Sequence, residues 1–184
     1  MRKTLHSLAF VALVLGLTLP LGAQDRQGVM GDLLRDVGQV EKKIVGLAKA
    51  MPDAAYQYRP GKGVRSTSEV LLHVAADNYF IPAVMGIPTP KESGITKEYE
   101  STVAFEKRSM TRDQVVAELE KSFAFLRTSM QGMPDAQLET AIEVFGQKNT
   151  NRGFWLMATT HLHEHLGQLI AYARANNVTP PWSK

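Results

Sequence analysis

Three of the chain's five histidines fall within five residues, His161-Leu162-His163-Glu164-His165. Imidazole nitrogen ligates first-row metals and exchanges protons near neutral pH, so this cluster is where chemistry would be sought first. On a helix, at about 100° per residue, His161 and His165 stand one above the other, while His163 points about 200° away from His161. Only two of the three can share a site. An i, i+4 pair presents two imidazoles to one ion, and neutral imidazole suits Zn, Ni, Cu or Fe. The same spacing also arises as two ordinary surface or core histidines, and the pair alone does not choose between these.

The literal string H-x-x-E-H is also a metallopeptidase pattern, with the glutamate as base, but that chemistry needs a further ligand downstream. Residues 166–184 contain no Asp, Glu, His or Cys, which argues against a peptidase. A third ligand must come from upstream. His73, in Leu71-Leu72-His73-Val74-Ala75-Ala76-Asp77, is the only other histidine after the first 23 residues. Alone it reads as a satisfied core histidine; with the pair it completes three nitrogens from two helices, leaving coordination positions for water or substrate. Asp77, one turn later, can orient an imidazole, ligate directly or simply face solvent. Gln168 and Tyr172 continue the His161/His165 face and either line a pocket or pack in the core. Glu164 and Asp77 are the nearest carboxylates able to shuttle protons. The chain has neither cysteine nor G-x-S-x-G, which leaves no support for a covalent Ser or Cys mechanism.

The elements that must carry these residues are helices. Met30, Leu33, Leu34, Val37, Val40, Ile44 and Leu47 recur at three-and-four spacing, which predicts an amphipathic helix over 25–50. Tyr56-Gln57-Tyr58-Arg59-Pro60-Gly61-Lys62-Gly63 follows as a loop rich in turn formers. Ser66-Thr67-Ser68-Glu69 is a capping box that opens a second helix, running to about Val84. Thr111-Arg112-Asp113-Gln114 opens a third over 111–131, and Thr150/Asn151 caps a fourth that runs to Ala175. Residues 86–110 and 132–150 show no sustained period, and no alternating run is long enough for a sheet. These elements predict an all-α fold, a four-helix bundle. The connection between helices two and three, about 25 residues against the usual 2–8, predicts a long crossover, with those two helices parallel.

Composition bounds the function. The 184 residues are 44% hydrophobic and 21% charged, with formal charge +3, the balance of one globular domain. Arg2-Lys3, an apolar run from Leu8 to Leu19, Pro20 and Gly22-Ala23 read as a signal peptide over 1–23, leaving a domain over 24–184. The run is well short of the roughly 20 residues a bilayer-spanning helix needs, so no stable membrane anchor is expected after cleavage, and the location is periplasmic or extracellular. Removing 1–23 takes away Arg2 and Lys3 and no acid, which lowers the charge to +1. A near-neutral domain without a basic stripe has no footprint for a phosphate backbone, so nucleic acid is not an expected partner. A small-molecule substrate of unknown identity is, and self-association as a homodimer is left open.

Tyr56-Gln57-Tyr58-Arg59-Pro60, Ser66 through Leu71-Leu72-His73-Val74-Ala75, and above all His161-x3-His165-x-Gly167-Gln168-Leu169 with Tyr172-x-Arg174 and Pro180-Pro181 resemble the DinB-like (DinB/YfiT) superfamily. The resemblance covers about Leu33 to Ser183. It implies a four-helix bundle with a long connection between helices two and three, and a divalent metal held by three histidines, whose positions fall on His73, His161 and His165. His163 matches no ligand position. Some relatives are thiol-dependent transferases or isomerases, and many have no known activity. Two functions are carried forward: an exported metal-dependent transferase or hydrolase, with Zn or Ni the leading ions, and a non-catalytic bundle module that binds metal or a small ligand.

Overall fold

A computed structural model describes residues 26–183; the signal segment expected over 1–23 lies outside the described residues. In chain order the elements are α1 (Gly28–Ala50), a short α2 (Asp53–Tyr56), α3 (Thr67–Val84), α4 (Tyr99–Glu106), α5 (Arg112–Gly132), strands β1 (Ala141–Val144) and β2 (Gln147–Thr150), and α6 (Asn151–Ala175). The helix starts lie where the sequence signals put them. Ser66 and Thr111 each accept from the backbone N–H three residues on, while Glu69 and Gln114 reach back to the cap N–H. Thr150 accepts from the Gly153 N–H and so caps α6. Among the described residues no helix is long and apolar enough to cross a membrane.

The four long helices form a ring in which α1 and α3 each pack between α5 and α6. Side-chain pairs fix their directions. Lys49 Nζ lies 2.6 Å from Glu120, the Arg112 guanidinium donates to the carbonyls of Lys49 and Met51, and Arg127 pairs with Glu41. The end of α1 therefore meets the start of α5, and the two are antiparallel. Asn78 donates to Ser122 at 3.0 Å, and further along Met85 shares a cavity with Phe125 and Ser129, so α3 and α5 run parallel. Tyr172 meets Arg65 at one end of the α3/α6 pair, and Phe80 and Phe154 line one cavity at the other, which makes those helices antiparallel. Parallel α3 and α5 require the chain to return the length of the bundle between them. Residues 85–111 make that crossover.

Apolar stripes from all four helices meet on the axis, with Val37 and Ile44 of α1, Leu119 and Phe123 of α5, and Trp155 and Leu169 of α6 among the fully covered side chains. Each large apolar side chain so buried contributes roughly 1.5–3 kcal/mol. Helix α3 differs from the others in being apolar nearly all round. Val70, Leu71, Leu72, Val74, Ala75 and Ala76 are all buried, and a helix without a polar face must be covered on its outer side as well.

That cover corrects the sequence reading of 86–110 as irregular. The crossover contains α4, which packs along α3 and buries Phe105 and Thr102. Residues 132–150 also hold structure, and the expectation of no sheet is corrected there. β1 and β2 pair antiparallel with Val144 opposite Gln147, closing on a two-residue turn, Phe145-Gly146. Only Val144 of the eight strand residues is buried, so the alternation that would announce a strand in sequence is missing. The hairpin feeds straight into the Thr150 cap of α6.

Candidate metal centre

His73 lies on α3, and His161 and His165 stand one turn apart on α6; the antiparallel packing of these helices brings the three rings together. One ligating atom from each lies within 4.8 Å of the others. His161 Nε2 is 3.2 Å from His73 Nε2 and 3.1 Å from His165 Nε2. Asp77 Oδ2 adds a carboxylate oxygen 2.9 Å from His161 Nε2 and 3.4 Å from His73 Nε2. Asp77 thus shares the face on which the nitrogens converge, instead of backing one of the rings. His163 points away to α1, where Nε2 is 2.7 Å from Asp36.

The far side of two rings is held by groups that settle their tautomers. His73 Nδ1 lies 2.6 Å from Glu106 Oε1, and the same carboxylate takes two hydrogen bonds from Arg65, at 2.8 and 3.2 Å. Burial pushes the Glu106 carboxyl up, but hydrogen bonds from His73 and Arg65 outweigh it and hold the group below its usual range. An ionised carboxylate only accepts, so His73 Nδ1 carries the hydrogen, and in the neutral, ligating form of the ring Nε2 presents its lone pair. His165 Nδ1 lies 2.9 Å from Gln168 Oε1. Tyr172 donates its hydroxyl proton to the Arg65 carbonyl and accepts from Gln168 Nε2. This turns the amide oxygen toward His165, whose Nδ1 donates and whose Nε2 also faces inward as a lone pair. Arg65 therefore fastens both rings, one through its side chain and the other through its carbonyl.

The donor set fits a divalent cation. Two lone pairs and a carboxylate oxygen surround His161 Nε2, and one N–H there can satisfy only one of the three. A cation satisfies them together once His161 is also neutral. Nitrogens bound to Zn at 2.0–2.1 Å in a tetrahedron lie about 3.3 Å apart, close to the 3.1 and 3.2 Å observed. Carboxylate or amide support behind metal-binding imidazoles is a recurrent arrangement, because it fixes the tautomer and raises ligand basicity.

The electrostatics divide the two α6 histidines. Hydrogen bonding to Asp77 raises the His161 pKa above its ordinary value, against the effect of burial. Burial pushes His165 down to about 4, so that ring is neutral across the physiological range. Glu164 is exposed and lies 3.4 Å from His161 Nδ1, on the far side of that ring from Asp77.

The Tyr56–Pro60 loop braces this arrangement from outside. Tyr58 packs edge-on against Tyr172 at 5.5 Å, and Arg59 forms a two-pronged contact with Glu69 of the α3 capping box. Glu106 and Arg65 are the two participants that sequence reasoning missed. Glu106 ends a helix with only two buried residues and is 33 residues from its partner His73; no spacing rule links them. Replacing Glu106 by glutamine keeps the shape but weakens the pull on the His73 Nδ1 proton. Metal affinity is expected to fall about 10–100-fold, read by competition with a chromogenic chelator. Unchanged affinity would reduce Glu106 to an anchor for Arg65.

A cavity of about 420 Å³ opens over His73 and His161. His73, Asp77 and His161 form its floor, and Phe80, Tyr99, Phe145, Phe154 and Met157 form much of its wall.

The sequence profile of the DinB superfamily matches residues 37–169. No curated protein matches the chain. Among solved structures, a DinB-like protein from Bacillus cereus ATCC 10987 superposes with a TM-score of 0.69 at 18% identity, covering 85% of this chain and 97% of that one. YfiT from Bacillus subtilis, described as a probable metal-dependent hydrolase with an unusual four-helix bundle topology, gives 0.66 at 13% identity over 85% of this chain and 94% of that one. A DinB-family structure from Exiguobacterium sibiricum 255-15 gives 0.60 at 25% identity, with 80% and 91% covered.

Proposed function

The chain belongs to the DinB superfamily, and we propose that it is a metal-dependent hydrolase of a small molecule, with a divalent ion held by His73, His161 and His165. The observation that carries this reading is the convergence of three Nε2 atoms, two of them presented as lone pairs by Glu106 and Gln168, beside a cavity that His73 and His161 line. Zn and Ni are the leading ions, since both accept neutral imidazole. The description of YfiT as a probable metal-dependent hydrolase supports the same chemistry.

When bound, such an ion supplies a Lewis acid that polarises a substrate oxygen and makes water a competent nucleophile near neutral pH. The chain's own groups do the rest. Gln168 and Glu106 keep two rings in the ligating tautomer. Asp77 Oδ2, set among the imidazoles and opening on the cavity, takes a proton from the attacking water and returns it to the leaving group. The apolar walls keep bulk water off the reacting bond. A cavity of about 420 Å³ suits one small substrate, which favours hydrolysis over transfer to a second bulky co-substrate. Export is part of the proposal and rests on Arg2-Lys3, the apolar run to Leu19 and Gly22-Ala23.

The test is turnover of para-nitrophenyl esters, amides and phosphate esters by protein loaded with Zn or Ni. Turnover is expected to vanish on chelation, to return when the ion is restored, and to be absent in His161→Ala. Metal-loaded protein inert toward all three classes would leave the non-catalytic metal-binding module as the reading.

A further inference from the structure

Phe145 sits where a phenylalanine costs the fold something. It occupies the first turn position of the β1–β2 hairpin with φ of 53°, followed by Gly146 at 72°. Two consecutive left-handed residues define the tight hairpin turn that favours Asn-Gly or Asp-Gly, and a bulky side chain in that region is a conformational outlier. Its ring gains little from burial in return, being 69% exposed. What the position does achieve is to hold the ring over the cavity. Phe145 stacks at 6.2 Å and 25° on Phe80 and meets Tyr99 edge-on at 5.8 Å, while Phe80 and Tyr99 meet at 6.3 Å.

The three rings come from three separate elements, the far half of α3, the first residue of α4 and the hairpin tip. They converge on the wall of the cavity whose floor is His73, Asp77 and His161. Tyr99 is also half exposed, at 45%, so two of the rings present apolar faces that folding leaves wet. No lysine or arginine lines this cavity among the described residues, and Asp77 is the one carboxylic acid side chain in its lining. An anionic group held against these walls would lose its water without gaining a cation of the chain, which is unfavourable. An aromatic group would instead displace loosely held water from faces that accept stacked and edge-on partners at this spacing.

We propose that Phe80, Tyr99 and Phe145 form a specificity subsite for an aromatic, uncharged group of the substrate, placed so that the bond to be cleaved lies over the histidines. This deepens the hydrolase reading and rests on it for the identity of the ligand as a substrate. It makes the hairpin and α4, elements without a clear sequence signal, the parts of the chain that select the substrate.

The test reads binding without turnover. Para-fluorobenzyl alcohol is titrated into the full chain, metal-loaded and chelator-treated, and followed by fluorine NMR, with Phe145→Asn and Tyr99→Ala as variants. Saturable binding is expected in both metal states, because the walls carry it. Each variant is expected to weaken it about tenfold, in line with the loss of one aromatic contact and its buried area. Asparagine suits the turn, so Phe145→Asn should melt no lower than the parent. Absence of saturable binding to the parent protein, or unchanged affinity in both variants, would overturn the subsite. A protein that binds the probe in this way yet hydrolyses nothing would retain the subsite and lose the hydrolase reading; turnover that ignores Phe145 and Tyr99 would do the reverse.

Discussion

Replacing Asp77 by asparagine is expected to lower kcat by about 10²–10⁴, the usual contribution of a positioned general base, with metal content unchanged. Asparagine has nearly the same shape and stands in the same place, 2.9 Å from His161 Nε2, but it has no basic site for the proton of an attacking water. KM should move little, because the apolar walls that would bind substrate are untouched. The variant also separates the two roles open to a carboxylate at this place. If it loses the metal, Asp77 is a fourth ligand; if it keeps both metal and parental kcat, the base lies elsewhere, and Glu164, exposed behind His161, is the next carboxylate to replace.

Removal of the ion is expected to lower the melting temperature by roughly 8–16 °C when the loaded reference contains free metal at about a thousand times Kd. At that excess a ligand specific for the native state adds about 4 kcal/mol, and a domain of this size shifts by about 2–4 °C per kcal/mol. The effect should depend on pH with a definite sign. Hydrogen bonding to Asp77 raises the His161 pKa, so in the metal-free protein the proton on this ring stabilises the fold below the unfolded value of about 6.5. That contribution is lost as pH rises through the higher folded value. Metal needs the deprotonated ring, and the gain in melting temperature from metal should therefore shrink as pH falls through the same range. His165 behaves oppositely. Its pKa is pushed down to about 4 by burial, so it is ready to ligate at neutrality, and the native state loses stability as pH falls from about 6.5 toward that value. A melting temperature indifferent to chelator at every pH would contradict a metal-filled site.

What the sequence made legible, and what it hid, follows from how locally each feature is encoded. Helix starts are written in four consecutive residues, and Ser66, Thr111 and Thr150 cap where their patterns say. The His161/His165 pair was legible because helical periodicity alone sets it on one face. That His73 would meet it required only that the second and fourth long helices of the bundle pack against each other. The parallel run of α3 and α5 was legible from the length of the connection between them. The supporting groups were not. Glu106 and Arg65 reach their partners across the tertiary fold, and α4 exists because α3 is apolar on its outer side too, a property of packing instead of any period within 99–106. The hairpin was hidden for a related reason. Seven of its eight strand residues stay at least partly exposed, and its turn is Phe-Gly in place of the usual Asn-Gly, so neither alternation nor turn chemistry announced it.

The claim on which the rest depends is that His73, His161 and His165 hold an ion together, and elemental analysis of the gently purified protein tests it most directly, with His73→Ala and His165→Ala beside it. The account predicts about one equivalent of Zn, Ni or another first-row divalent metal in the parent chain and its loss in both variants, since an open catalytic site of this kind holds its ion by three protein ligands and each variant removes one. No metal after reloading, or metal retained in full by both variants, would contradict it.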